Sequence, residues 1–143
     1  PSEGKNNTPK GGKLSAKLTK ANSKAVLMLS EVVEKFIRGE ATETARLAKD
    51  PSKFMPRVEE YHQGQSERFL KALEPVCGIL EALGVKNIAD TLPGAVEGHF
   101  EASRAMLLSA SECTADELPQ RVSDLVSKWP EERTKGVLKC LSL

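Results

Sequence analysis

Apolar side chains recur every three or four residues along most of this chain, which is the spacing of one face of an α-helix. The stretch after residue 24 shows the pattern clearly, with Val26, Leu29, Val33, Phe36 and Ile37 on one helical stripe. No segment alternates polar and apolar residues over the length of a strand. The sequence therefore predicts an all-α fold, in which about five helices form a small bundle.

Proline and glycine residues mark the expected ends of these helices. The first helix is expected to run through Gly39 and on to Lys49, with some local cost at the glycine. Gly84 marks a stop, Thr91–Pro93 opens a later helix, and Pro130 restarts the last one.

A capping box is expected between the later helices. Thr114 stands three residues before Glu117, which is the spacing at which each side chain reaches the other's backbone N–H. Pro119 is awkward for a helix that begins at Thr114, so the start of this helix is expected nearer Leu118.

Three prolines lie in residues 49–75, and the first two, Pro51 and Pro56, are expected to begin the second helix after a joint. We expect Asp50 to cap the second helix, Pro51 to set its first turn, and Phe54 to fill the angle between the two helices. Pro75 lies deep in the second helix, where it removes a backbone hydrogen bond, so we expect a bend there.

The first 24 residues differ in composition from the rest. They hold six lysines against one acidic residue, and the whole chain carries a net charge of +1, so residues 25–143 carry −4. Such a Gly-, Pro- and Lys-rich stretch cannot bury enough surface to order itself, so we expect residues 1–24 to be a flexible arm before a helical domain at 25–143. The arm is either a linker or a DNA-binding element that neutralises phosphates through Lys5, Lys10, Lys13, Lys17, Lys20 and Lys24.

The core is expected to be mainly aliphatic, because only 4% of the residues are aromatic. The apolar stripes of the different helices predict which residues meet there. These residues are Val33, Phe36, Phe69, Leu73, Leu80, Phe100, Leu125 and Trp129.

No arrangement of titratable residues in the sequence indicates catalysis. His62 and His99 are the two histidines, and they lack the spacing with which two imidazoles on one helix share a metal. His99 has Glu97 and Glu101 as neighbours, which leaves an acid–base or metal pair open, but a surface or partly packed histidine is the favoured interpretation. We expect no enzyme activity, no metal and no cofactor.

The three cysteines give neither a disulfide framework nor a zinc pattern. Cys77 lies at an apolar position and is expected in the core, and Cys113 and Cys140 have no activating histidine in sequence. No apolar run approaches about 18 residues, so no membrane span is expected. The chain has no initiator methionine, so we expect either a piece of a longer protein or a processed product.

The stretch Val32–Gly84 resembles the helical C-terminal region of some tailed-bacteriophage portal proteins. In that family a helix with an Arg- and Ala-containing end, here residues 46–49, runs into a short joint, here Pro51 with Phe54. An acidic–aromatic stretch follows, here residues 59–61, and then a helix that ends in the pattern A-L-x-P, here residues 72–75. His62 directly follows the aromatic residue, whereas the family has its histidine a few residues later.

The resemblance implies a structural and assembly role. Portal proteins form a ring at one capsid vertex, DNA enters through that ring, and the tail assembles below it, while the catalytic step belongs to terminase. The resemblance therefore implies a homo-oligomer that contacts other virion assembly proteins, in the virion or the host cytoplasm. The alternative function is a helical nucleic-acid-binding or regulatory domain that uses the basic arm. An enzyme with a helical fold is the least favoured class.

Overall fold

The computed structural model describes residues 9–141 and 143, with side chains described for 23–141 and 143. Within this part of the chain there are five α-helices, one short 3-10 helix and no strand, which confirms the all-α prediction. The helices are α1 (Pro9–Leu47), α2 (Phe54–Ala82), α3 (Ile88–Ala110), α4 (Leu118–Val126) and α5 (Trp129–Cys140), and the 3-10 helix spans Pro51–Lys53.

Helix α1 has 39 residues, and it begins at Pro9. The boundary that we expected between residues 24 and 25 therefore lies inside a continuous helix. Lys24 is exposed, Lys5 lies outside the described residues, and the side chains at positions 10, 13, 17 and 20 lie outside the described side chains. The mobility expected for residues 1–24 stays a prediction. Gly39 lies within α1, as expected, although the helix ends at Leu47, before Lys49.

Helices α1 and α2 are antiparallel neighbours. The ring of Phe36 stacks on the ring of Phe69, with 4.2 Å between centroids and 6° between planes. Further along α1, Leu47 shares a surface depression with Arg57, which lies near the start of α2. Residues later in α1 therefore lie against residues earlier in α2. This antiparallel arrangement is the one that a short connection between two helices produces.

Helices α2 and α3 are antiparallel as well. The rings of His62 and Phe100 lie 5.1 Å apart, and Arg104 donates to the carboxylate of Glu59 at 2.8 Å. Because α2 runs against both of its neighbours, α1 and α3 run parallel to each other. Helix α4 packs against α1 and α3, and only its first residue, Leu118, borders a groove at the start of α2. Helix α5 packs against both α1 and α3.

The joint between α1 and α2 differs in one respect from the prediction. Asp50 precedes the 3-10 helix, and its side chain makes no capping hydrogen bond to the backbone. Its carboxylate instead accepts a bond from the hydroxyl of Ser52 at 2.9 Å and lies 3.7 Å from Arg57. Pro51 sets the first turn of the 3-10 helix, and α2 begins at Phe54, which is 1% exposed. The predicted cap is therefore wrong, because the intervening 3-10 turn separates Asp50 from the N-terminus of α2.

The prolines of α2 and α3 lie inside helices. Helix α2 continues through Pro75, which is exposed, and the bend expected there stays a prediction. Helix α3 begins at Ile88, five residues before Pro93, so the start predicted at Thr91–Pro93 is wrong. Pro93 is the sixth residue of α3, beyond the first four N–H groups that have no partner in a helix, so α3 lacks one backbone hydrogen bond there.

Helix α4 begins at Leu118, as expected, but only half of the capping box forms. The carboxylate of Glu117 accepts from the backbone N–H of Thr114 at 3.2 Å and from its hydroxyl at 2.8 Å. The reciprocal bond, from the backbone N–H of Glu117 to the hydroxyl, is replaced by this side-chain contact. These hydrogen bonds lower the pKa of Glu117 from its ordinary value.

The predicted core is largely confirmed. Six of its eight residues are buried, whereas Phe36 and Leu125 are only partly buried against the same cluster. Trp129, Phe54 and Phe69 are the largest fully buried side chains. Cys77 is buried as expected, Cys113 is half-buried, Cys140 is exposed, and all three are free thiols.

Candidate functional site

A charged residue lies in the middle of the apolar stripe of α1. Glu40 follows Ile37 by three residues and precedes Thr44 by four, so helical geometry turns both polar residues toward the core. Glu40 is 1% exposed and Thr44 is 0% exposed. A buried carboxylate needs a partner, since its desolvation costs several kcal/mol, ~20 in the idealised limit.

His99 of α3 supplies that partner. Its Nε2 lies 2.8 Å from Oε1 of Glu40, and both side chains are almost fully buried. The pairing differs from the neighbours considered in the sequence, because Glu97 and Glu101 are both exposed. The expectation of a surface or partly packed histidine is therefore wrong for His99, whereas His62 is indeed partly buried.

Arg133 of α5 completes the network from the other side of the imidazole. Its Nε and Nη2 lie 3.3 Å and 3.2 Å from Nδ1 of His99, and Nη2 also donates to the backbone carbonyl of His99 at 3.0 Å. Arginine has no hydrogen-bond acceptor, so Nδ1 must be the acceptor. We therefore assign the proton to Nε2, which donates to Glu40.

The network thus joins one residue from each of α1, α3 and α5. The carboxylate of Glu40 and the guanidinium of Arg133, which carry opposite charges, lie on either side of the imidazole of His99. The imidazole donates to Glu40 and accepts from Arg133. Burial lowers the pKa of the Arg133 guanidinium from its ordinary value, and the negative charge of Glu40 opposes this change. We refer to Glu40, His99 and Arg133 as the buried network.

Aromatic rings from α2 and α3 surround the buried network. The ring of His99 meets Phe69 and Phe100 edge to face, at centroid distances of 5.5 Å and 5.0 Å. Phe100 also contacts His62, whose Nε2 is buried without a partner. Burial lowers the pKa of His62, and the charge of Glu40 opposes this. Burial likewise raises the pKa of Tyr61 to about 12, with further contributions from the charges of Glu40 and Glu43.

The buried network does not have the geometry of a catalytic dyad. In a Glu–His dyad one ring nitrogen is oriented by the carboxylate and the other is open to a substrate or nucleophile. Here Arg133 occupies the second nitrogen of His99, and the side chains of His99 and Glu40 are 0% and 1% exposed. The arrangement instead connects three helices, as buried ion pairs do when every member has a partner.

A shallow groove of about 360 Å³ runs between α2 and α3. Leu70, Val96 and Phe100 contribute its apolar wall, and His62 lies at one end. The ion pair of Arg104 with Glu59 borders that end. Within the described residues, His, Cys, Asp and Glu side chains form no group of three or more that could hold a metal ion.

The other sequence-predicted residues do not converge on this network. The joint residues lie at the opposite end of α2 from Pro75, and Phe54 borders a second groove together with Met55, Cys113 and Leu118. Glu59 and Glu131 are exposed, and each forms an ion pair with a basic residue, Arg104 and Lys135 respectively. Glu40 and Arg133 were missed in the sequence, although each occupies a core-facing position on its helix.

Apolar side chains are also exposed on α1. Leu27 is 60% exposed and Met28 is 46% exposed, and Lys24 lies one turn before them on the same outer side. In the same helix Ala25, Leu29 and Val33 are buried. We refer to Leu27 and Met28 as the α1 surface pair.

None of the helices in the described part of the chain is both long and apolar enough to cross a membrane. Comparison with protein-family models, with curated protein sequences and with solved structures found no match.

Proposed function

We propose that this chain is a non-enzymatic assembly module, a rigid helical body that associates with copies of itself through α1. The observation that carries the proposal is the α1 surface pair. Leu27 is the most exposed of the large hydrophobic residues in the described part of the chain, and Met28 lies next to it. Exposed apolar residues that adjoin each other on one helix are a common feature of protein interfaces.

Charge favours a second copy of the chain as the partner. Residues 1–24 carry +5, whereas residues 25–143 carry −4. The basic segment of one copy therefore attracts the acidic body of another, and opposite charge steers association and fixes its orientation. The α1 surface pair lies directly after the basic segment, so both features can act in one contact.

The buried network supports the structural part of this proposal. It joins α1, α3 and α5 through Glu40, His99 and Arg133, and the side chains of Glu40 and His99 are almost fully buried. The narrower form of the proposal is a portal-like module, with DNA packaging, head–tail connection and virion partners. This form rests on the resemblance of Val32–Gly84 to portal proteins.

Light scattering coupled to size-exclusion chromatography tests the assembly proposal. We expect a molar mass above that of the 15.5 kDa monomer, rising with concentration. Leu27→Gln with Met28→Gln should shift the protein toward the monomer. Ile79→Gln is the matched control, because Ile79 is 44% exposed on α2 and should leave the mass unchanged. A wild-type protein that stays monomeric at high concentration contradicts the proposal.

Nucleic-acid binding is the second candidate function, and the continuity of α1 favours it. Positions 10, 13, 17, 20 and 24 alternate spacings of three and four, which is the sequence spacing of one face of a helix. Five lysines on one side of a helix form the kind of basic stripe that follows a phosphate backbone.

A salt-dependent binding assay tests this second function. Fluorescence anisotropy with a labelled DNA duplex should show affinity that falls steeply with salt, and replacement of Lys13, Lys17 and Lys20 by Gln should reduce both the affinity and the salt slope. Replacement of Lys49, Lys53 and Lys86 by Gln, which removes the same charge from exposed positions in the body, is the control. Equal loss in the two triple variants would leave no role for the stripe.

A further inference from the structure

Three of the four helical threonines with described side chains donate their hydroxyl to a carbonyl one turn earlier in the same helix. This is the common way for a helical Ser or Thr to satisfy its hydroxyl. Thr42 donates to the carbonyl of Arg38 at 3.0 Å, and Thr91 donates to that of Asn87 at 3.0 Å. Thr134 makes the same kind of bond to Pro130.

Thr44 is the fourth of these threonines and lacks such a bond, and Ser103 is a helical serine that also lacks one. Both are 0% exposed, and neither hydroxyl has a hydrogen-bond partner among the protein groups. Oε2 of Glu40, the second oxygen of the buried carboxylate, also has no protein partner. Buried polar atoms are nearly always bonded to protein or to ordered water, so three of them in one region require an explanation.

The three atoms lie at neighbouring levels of the bundle. Thr44 follows Glu40 by one turn of α1, and Ser103 follows His99 by one turn of α3. Glu40 and His99 are in direct contact at 2.8 Å, and α1 runs parallel to α3. One turn further along both helices therefore brings Thr44 and Ser103 to the same level, next to the buried network.

The buried network also explains why the hydroxyl of Ser103 does not bond one turn back. Its hydroxyl would ordinarily bond to the carbonyl of His99, four residues earlier. That carbonyl already accepts from Nη2 of Arg133 at 3.0 Å, in addition to its place in the helix ladder. A carbonyl oxygen has two lone pairs, so the guanidinium leaves no acceptor for the hydroxyl.

We propose that these atoms form an internal water-binding site, in which an ordered water joins Oε2 of Glu40 to the hydroxyls of Thr44 and Ser103. The carboxylate oxygen accepts from the water, and each hydroxyl can donate or accept as the water requires. Two to four polar partners are what a buried water needs, and such waters are costly to remove. The site is independent of the assembly proposal, since it concerns the interior of one chain.

Removal of single hydroxyls distinguishes a hydrated site from a dry one. Thr44→Val keeps the shape of the side chain, and Ser103→Ala removes a single atom. If water bridges the hydroxyls, each change should lower the melting temperature by about 3–8 °C relative to its control. If the hydroxyls are dry and unpaired, removing them relieves a desolvation cost, and the melting temperature should stay the same or rise. That outcome would overturn the proposal.

The controls cancel the effect of helix propensity. Thr42→Val lies on the same helix as Thr44 but is exposed, and Ser109→Ala lies exposed on the same helix as Ser103. Relaxation dispersion of the water-oxygen nucleus gives an independent readout, since it counts long-lived internal waters and is blind to exchanging hydroxyl protons. The Thr44→Val/Ser103→Ala variant should lose amplitude relative to wild type. Equal amplitudes in the two proteins would contradict the proposal.

Discussion

Nε2 of His99 lies 2.8 Å from Oε1 of Glu40, although the two residues are 59 positions apart in the chain. The bond crosses the bundle from α3 to α1, and Arg133 reaches the other ring nitrogen from α5. His99 is therefore paired at both ring nitrogens only while Glu40 and Arg133 are both present. This dependence determines how substitutions in the network should behave.

Replacement of one member should cost more than replacement of all three. Glu40→Leu leaves Arg133 without a nearby opposite charge in the core, and loss of one partner of a buried pair typically costs ~3–5 kcal/mol. The triple change of Glu40→Leu, His99→Leu and Arg133→Met removes every unpaired group and should cost less than Glu40→Leu alone. Urea unfolding followed by the fluorescence of Trp129, the one tryptophan, measures both free energies.

Glu60→Leu is the control for a carboxylate lost from an exposed position. It should change the free energy of unfolding by less than ~0.5 kcal/mol. A triple variant that is less stable than Glu40→Leu would contradict this prediction. It would show that the three paired groups stabilise the fold by more than the cost of burying them.

Tyr61 should ionise at unusually high pH. Its pKa is raised to about 12, chiefly by burial and then by the charges of Glu40 and Glu43. In the unfolded chain the pKa is about 10. The tyrosine's contribution to stability should therefore be complete below about pH 10 and fall as the pH rises toward 12. Ultraviolet absorbance of the phenolate follows this directly, because the chain has one tyrosine.

The control for this measurement is the same titration in denaturant. In denaturant the phenolate should appear near pH 10, and in the folded protein it should appear at a higher pH. Superimposable titration curves in the folded and unfolded protein would contradict the burial of Tyr61.

His62 should make the protein less stable in mild acid. Burial lowers its pKa in the folded state, so below the ordinary value of about 6.5 the unfolded chain binds the proton more readily. The free energy of unfolding should then fall as the pH falls through this range. His62→Leu should reduce this pH dependence, which urea unfolding at a series of pH values measures. An unchanged slope in the variant would assign the dependence to other groups.

Local sequence patterns predict the helices because the apolar residues that form the stripe of each helix lie within one continuous stretch of the sequence. Leu29, Val33 and Ile37 repeat at four-residue intervals on α1, and all three are 0% exposed. Glu40 is a charged residue on this stripe, so the sequence already contained the signal for a buried polar group on α1. Its partner could not be read in the same way, because the alignment of His99 with Glu40 depends on how α1 and α3 pack.

The errors at helix starts have a similar physical origin. Asp50 followed by Pro51 is a good local signal for a helix start, but the chain first forms a 3-10 turn, and α2 begins only at Phe54. The sequence predicts a start at Thr91–Pro93, yet α3 begins at Ile88, which is 1% exposed in the core. In both places burial of an apolar residue determined the boundary, and local propensity was secondary.

Asp50 should be nearly neutral to substitution. The side chain forms no cap, and its contact with Arg57 at 3.7 Å joins two side chains that are each 43% exposed. Exposed ion pairs contribute about 0–1 kcal/mol, so Asp50→Ala should cost less than ~1 kcal/mol in urea unfolding. A cost near 2 kcal/mol would indicate that Asp50 does cap the helix and would contradict this prediction.

Phe54 should matter far more than its neighbour in the joint. Its ring is 1% exposed at the first residue of α2, so Phe54→Ala should cost ~3–5 kcal/mol through the cavity that it leaves. If the joint also orients α1 for association, the variant should assemble less well even at temperatures where circular dichroism shows that it is folded. Phe69→Ala is the matched control, since Phe69 is 0% exposed but lies away from the joint. Equal loss of assembly in the two variants, at equal loss of stability, would mean that the joint only closes the bundle.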